Sequence, residues 1–519
     1  MDTAFVSPLR LFRTTAKAAT AKRRCTVVAK AVESCGEDCV ENMSRFTALF
    51  EKDRSDTIPI RALSSDEYDA WVRSQPAGMD AWLSANRFSS KKAGSIAVVP
   101  FMGGSEGVDD GKVVSEVILS TGSAKSEPWT YADLPKKLPP NACYEVTGNF
   151  DEDALSLGWA LGGYEFKKYK SQNKSTKKNT KPPTLKFWPK DRTAAAIRST
   201  YLARDLINHP AEDMTPSQLE NAIRALGERY AARTESIVGD ALLETKFPMI
   251  HAVGRAARSA GCEPRLIDLR YNSERTELPL VTVVGKGVCY DTGGLDIKPP
   301  AGMRNMKKDM GGAATAMGLA GMIMETNPPL RVRLLIPAVE NSISGEAYRP
   351  GDVLQSRKGI TTEIENTDAE GRLILADALH YACEEKPDLL IDFATLTGAQ
   401  RVALGVEIPG SFCSNEEDGR VLQDQSRGEN DLVWQLPLHA PYRKMLDSSI
   451  ADMKNCSTGG FAGAITAALY LKEFVSKPTR WIHIDHMGFN PSSKPGRPEG
   501  GEAQGMRALF KFIMNTFNV

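Results

Sequence analysis

Histidine and cysteine are scarce in this chain of 519 residues, with six of the first and nine of the second. The histidines are His209, His251, His380, His439, His483 and His486, and no HExxH pair occurs among them. Any metal site must therefore be built largely from something other than imidazole. The cysteines are odd in number and unevenly spaced, which argues against a disulfide scaffold and for a reducing compartment. Cys35 and Cys39 have no second Cys/His pair nearby, so they do not read as a zinc site. No apolar run approaches the roughly 20 residues that span a bilayer, which excludes an integral helical membrane protein. An excess of charge is also missing: 65 Lys and Arg balance 65 Asp and Glu. That argues against a polyanion binder working through bulk charge.

What is present is organised unevenly. Residues 1–30 carry seven basic residues against the single acid Asp2, among Thr, Ser and Ala. They resemble a mitochondrial transit peptide, which would direct the chain to the matrix. The alternative is a basic tail of 1–43 ahead of a second start at Met43, in a cytoplasmic protein. Residues 44–190 read as an N-terminal α/β domain, with strands expected over 95–101 and 112–119. Gly103-Gly104-Ser105-Glu106-Gly107 matches a bare G-x-S-x-G, but no helix pattern follows it, so a loop is expected. The stretch 167–186 holds eight lysines and reads as a solvated loop. It also offers a DNA-binding accessory role as an alternative function, against the neutral overall charge.

From residue 191 to 519 the pattern is β/α alternation. A helix is expected over 194–207, closed by Pro210. Strands are expected at 280–284, 332–336, 389–393 and 481–485, and helices at 311–325, 371–385 and 461–475. Continuous apolar strands between helices imply a sheet covered on both faces, with sites beyond the strand ends.

The polar residues concentrate at those ends. Lys286, Asp291 and Lys298 follow the first strand of this domain; Asp309 precedes one helix; Asp368, Glu370 and Arg372 open another. Four carboxylates converging in a cleft repel or take up protons unless cations join them. Two divalent metals about 3.5–4 Å apart would satisfy them. Helix capping by Asp309 and Asp368 is the plain alternative. Capping does not explain Asp368 together with Glu370 and Arg372.

The segments NTDAEGRL (366–373), VGKGVCYDTGGLDIK (284–298), DMGGAA (309–314), DFATLTGA (392–399) and WIHIDHMG (481–488) resemble, in order, the motifs of the M17 leucine aminopeptidase family. The likeness runs from about residue 192 to the end. It implies a smaller N-terminal α/β domain and a larger C-terminal catalytic α/β domain, whose mixed central sheet has helices on both faces. It also implies a metalloexopeptidase that releases N-terminal, leucine-like residues from peptides. By this resemblance Lys286 and Asp309 ligate the tighter metal, Asp291 and Glu370 bridge, and Asp368 serves the looser site. Lys298 polarises the scissile carbonyl, and Arg372 holds a bicarbonate ion acting as general base. Zn²⁺, Mn²⁺ or Mg²⁺ would occupy the sites, one of them exchangeable. Met306, Thr395, Gly398, Met487 and Asn490 fall where the family lines its first side-chain pocket. His486-Met487 and Asn490 depart from the usual residues there. His483 and His486 themselves read as structural. The family implies a homohexamer, a dimer of trimers; no membrane partner is expected, and the neutral overall charge argues against nucleic acid as a main partner.

The chemistry is coherent. A lysine ligates a metal only as the neutral amine, and lowering its pKa from ~10.4 to ~7 takes about 5 kcal/mol. Adjacent dications supply that by favouring the deprotonated ligand. Lys298 would stabilise an oxyanion, and the helix start at Gly371 with Arg372 is an anion seat.

Overall fold

A computed structural model describes residues 35–100, 114–123, 127–171, 180–257 and 259–519. The expected transit peptide and the G-x-S-x-G segment lie outside these residues, as do 172–179 of the lysine-rich stretch. Two main sheets are built, and the α/β reading holds for both.

The N-terminal sheet has five strands in the order Ile96–Pro100, Val114–Gly122, Thr57–Ser64, Cys143–Gly148 and Thr184–Leu185. Its neighbours are parallel except for the first pair. Helix Glu152–Gly163 covers it, opened by Asp151, whose carboxylate accepts the Ala154 N–H at 2.8 Å.

The second sheet has nine strands. Trp481–Asp485, Leu389–Ala394, Leu280–Gly285 and Arg331–Asn341 run parallel at its centre. Gly410–Cys413 and Arg265–Tyr271 flank this group antiparallel, which makes the sheet mixed. The strand residues alternate between two cores. Val281, Val283, Ile391 and Ile484 face helices Asp191–Asn208 and Gly311–Thr326. Val284, Leu390 and Trp481 face helix Gly371–Glu384. Both faces are buried, so these strands read as unbroken apolar runs rather than alternating ones.

Helix Gly311–Thr326 stops where expected, with Asn327 left-handed (φ 47°) ahead of Pro328-Pro329. Two elements differ in extent. The strand expected over 332–336 continues through Pro337 to Asn341, because beyond the proline it pairs with a second short strand, Gly287–Asp291. The helix expected over 461–475 is confined to Gly463–Lys472, entered through left-handed Ala462 (φ 57°).

The tail boundary at 43 falls inside the folded body. Residues Cys35–Asn42 form a helix against Pro216–Arg229, and Cys39 and Met43 are fully buried. Helix Asp191–Asn208 belongs to both halves. Ala194, Ile197 and Tyr201 pack in the N-terminal core, while Ala195, Leu202 and Leu206 pack in the C-terminal one. No helix among the described residues is long and apolar enough to cross a membrane.

Candidate metal centre and cleft

Lys286 occupies the break between strands Leu280–Gly285 and Gly287–Asp291, both paired with Arg331–Asn341. Its N–H donates to the Phe393 carbonyl, and its own carbonyl accepts from Ala313 N–H, each at 2.9 Å. The backbone is thereby tied to the end of one strand and the start of one helix. The buried side chain runs beneath Gly371. Nζ lies 2.8 Å from Asp309 Oδ2 and 2.8 Å from Glu370 Oε1.

Asp291 is held from the other side. Its Oδ1 accepts from Gly293 N–H and Asn341 Nδ2, each at 2.9 Å, and its Oδ2 lies 2.8 Å from Lys298 Nζ. Gly293 makes this turn with φ +88°, a conformation that favours glycine. Lys298 also pairs closely with Asp368. Thr367 fastens the two loops: its hydroxyl donates to the Gly293 carbonyl at 2.6 Å, and its own carbonyl accepts from Tyr348 OH at 2.6 Å.

Asp309 and Asp368 do not cap their helices. Neither Gly311–Thr326 nor Gly371–Glu384 begins with a side-chain cap bond. Asp309 Oδ1 instead accepts from Thr395 Oγ1 at 2.8 Å. Carboxylate oxygens of Asp291, Asp309 and Glu370 lie within 4.8 Å of one another, all buried. Such crowding shows in the titration. Burial, followed by Asp291, pushes the Glu370 carboxyl up to about 8 and Asp368 up to about 6. Burial works against the Lys286 ammonium, yet Asp309, Glu370 and Asp291 outweigh it and hold the group above its ordinary value. Glu370 Oε2 is buried and has no hydrogen-bond partner. A donor set of carboxylate oxygens and one amine, with an orphaned oxygen and excess proton affinity, fits divalent cations.

Arg372 is buried one turn further on. Its Nη1 donates to the Asn455 carbonyl at 2.5 Å, while Nε has no partner. Asn455 in turn accepts from Glu365 N–H at 2.8 Å and donates to the Asn366 carbonyl at 2.7 Å.

These groups open on a cleft of about 350 Å³ that Met306, Thr395, Gly398 and Met487 also line. Asn490 is not among its lining residues. Its amide donates to the Pro498 carbonyl at 3.1 Å and to Glu502 at 2.9 Å, away from the cleft. That leaves it no free donor for a substrate side chain. His483 is fully buried, 2.6 Å from Asp392, which also accepts from Trp481 Nε1 at 2.7 Å. His486, by contrast, lines the cleft, and burial lowers its pKa to about 3, so it is neutral. The residues that sequence reasoning did not single out are Asn341, Asn455, Lys308 and Arg401; His486 was read as structural. Lys308 stood beside the DMGGAA motif and Arg401 just after DFATLTGA, whereas Asn341 and Asn455 lie far from the motifs in sequence. Lysines of the basic stretch are engaged locally, Lys168 with Asp38 at 3.1 Å and Lys186 with Glu145 at 3.2 Å. Among the described residues nothing favours the nucleic-acid reading.

Comparison with known proteins agrees with this geometry. The description "Cytosol aminopeptidase family, catalytic domain" matches residues 201–510. "M17 aminopeptidase, N-terminal domain" matches 58–182, where no motif was visible. A probable cytosol aminopeptidase of Rhodococcus jostii (strain RHA1) is 39% identical over 379 residues, 70% of this chain and 74% of the relative. One from Clostridium perfringens (strain 13 / Type A) is 39% identical over 373 residues, 69% of this chain and 74% of the relative. The crystal structure of cytosol aminopeptidase from Coxiella burnetii is 43% identical with a TM-score of 0.81, covering 90% of this chain and 99% of that one. The bottromycin maturation enzyme BotP in complex with Mn is 29% identical with a TM-score of 0.76, covering 89% of this chain and all of that one. The chain belongs to the cytosol aminopeptidase family, M17, whose members are di-metal peptidases.

Proposed function

We propose that this protein is a di-metal aminopeptidase that removes N-terminal residues from peptides, leucine-like residues among the preferred ones. The buried convergence of Asp291, Asp309 and Glu370 around Lys286 carries the reading. Lys286, Asp291, Asp309, Asp368 and Glu370 would hold two divalent ions, with Zn²⁺, Mn²⁺ or Mg²⁺ exchanging at the Asp368 side. When bound, these ions supply Lewis acidity and a hydroxide near neutral pH.

The chain's own residues do the rest. Asp291 and Glu370 present their oxygens to a shared space, held there by Gly293, Asn341 and Lys286. Lys298, freed from its acids once those are engaged, donates to the oxyanion forming on the attacked carbonyl. Arg372, at a helix start with free N–H groups, seats bicarbonate, which takes the proton of the attacking water. Met306, Thr395, Gly398 and Met487 receive the first side chain, and thioether walls adapt to varied apolar shapes. Residues 191–519 would form the catalytic domain and 44–190 an assembly domain. The assembly would be a homohexamer and the compartment intracellular.

Metal-stripped protein, titrated with each ion against leucinamide, tests this. Hydrolysis should return with Mn²⁺ or Zn²⁺. It should stay absent in the Asp368→Ala/Glu370→Ala double variant; normal turnover there sinks the mechanism. Light scattering on the same sample reads the assembly.

A further inference from the structure

Besides Arg372, a second cation of the cleft has no anion among the described residues. Arg401, on the short helix Gly398–Leu404, lines the cleft and joins no ion pair among the described residues. Its Nη1 stands 3.2 Å from the sulfur of Met487. A thioether is a weak acceptor, and a guanidinium carries five donors in a fork, so most of that capacity is unmet. Nη2 lies 3.4 Å from where a Cβ on Gly398 would sit. The guanidinium is therefore folded back over two of the residues assigned to the side-chain pocket.

His486 lines the same cleft. It is 2% exposed, and neither Nδ1 nor Nε2 has a partner. A neutral imidazole left without hydrogen bonds in a buried position carries an uncompensated desolvation cost, which a ligand group could recover. Phe393 packs edge-on against the ring at 6.0 Å and offers it no acceptor. The other charged group near is Lys308, buried and 4.0 Å from Asp309. The pocket thus combines apolar walls, Met306 and Met487, with a polar end rich in donors. A leucine side chain would fill the walls and leave the donors unmet. A side chain with an apolar stem and a terminal carboxylate would satisfy both, with the bidentate geometry that Arg favours.

We propose that Arg401, supported by His486, makes this pocket a receptor for acidic N-terminal residues, glutamate foremost, alongside leucine-like ones. The proposal rests on the aminopeptidase reading. It is tested with Mn²⁺-loaded full-length protein on glutamyl, glutaminyl and leucyl p-nitroanilides at low and high salt. The glutamyl substrate should be cleaved with kcat/KM within about tenfold of leucyl, above glutaminyl, and salt should weaken that advantage. In Arg401→Leu the glutamyl-to-leucyl ratio of kcat/KM should fall at least tenfold. Arg401→Lys should restore part of it, and His486→Ile should lower it less. The ratio is internal to each preparation, so partial misfolding cancels. Leucyl turnover with glutamyl turnover a thousandfold lower, or a ratio unmoved in Arg401→Leu, overturns the proposal alone. No turnover of any substrate overturns the peptidase reading and this proposal with it.

Discussion

Lys286 passes so close under Gly371 that a Cβ on the glycine would fall 2.5 Å from Lys286 Cε and 2.7 Å from Nζ. The first residue of helix Gly371–Glu384 is thus a space reserved for a lysine from between two strands. Gly371→Ala must move that lysine, the backbone or both. A displacement near 1 Å at such a centre costs about 10²-fold in rate. The variant should fold, bind less than the full complement of metal by elemental analysis, and lose roughly 10–100-fold in kcat/KM. Full metal content with unchanged turnover would refute the steric account.

Proton balance gives the pH dependence. Glu370 titrates at about 8 in the folded metal-free protein against an ordinary value of 4.5, and Asp368 at about 6 against 3.8. Between those limits the folded chain holds protons that the unfolded chain has released. The stability these groups contribute is complete at low pH and is lost as pH rises through about 4 to 8. Urea unfolding of metal-free wild type should weaken across that window relative to Glu370→Gln. Metal uptake should expel these protons and the one on Lys286. Mn²⁺ affinity should therefore rise with pH, with proton release visible by calorimetry in buffers of different ionisation enthalpy. A flat response would contradict the cluster's electrostatics.

Arg372 tests the anion seat. Its Nη1 is spent on the Asn455 carbonyl, but Nε is free. Arg372→Ala should lower kcat by roughly 10²–10³ with metal content kept, the size of a lost charge-stabilising donor. Added bicarbonate should raise wild-type activity in carbonate-depleted buffer and leave the variant unmoved. Equal responses in the two proteins would remove the seat.

Behind the site, Asp392 holds Trp481 and His483 together in a fully buried network. Asp392→Ala strands both donors and should destabilise the protein by about 3–5 kcal/mol. The melting temperature should drop accordingly, with the sheet's parallel centre failing first in hydrogen exchange. A melting point within a degree of wild type would mean the network carries little.

Much of this was legible in the sequence because the site is made locally. Asp368, Glu370 and Arg372 fall within five positions, and Lys286, Asp291 and Lys298 within one short stretch, so spacing alone grouped them. The parallel strands were visible because burial on both faces leaves no polar alternation. What was hidden depends on distant chain segments. Asn455 reaches Arg372 across 83 positions and Asn341 reaches Asp291 across 50. An asparagine carries no mark of such a partner. Asn490 stood at a family pocket position, yet Glu502 and Pro498 claim its amide. His486 read as structural because histidines on strands generally are; its place at the strand's end, opening on the cleft, is a tertiary fact.

The shared helix Asp191–Asn208 acts as a rivet between the two sheets. Its whole circumference is occupied, with Ala194, Ile197 and Tyr201 in one core and Leu202 and Leu206 in the other. Cutting the chain at 190 would leave a greasy stripe on the larger piece and an open core on the smaller. Neither half is a portable module, and the two should melt in a single cooperative step.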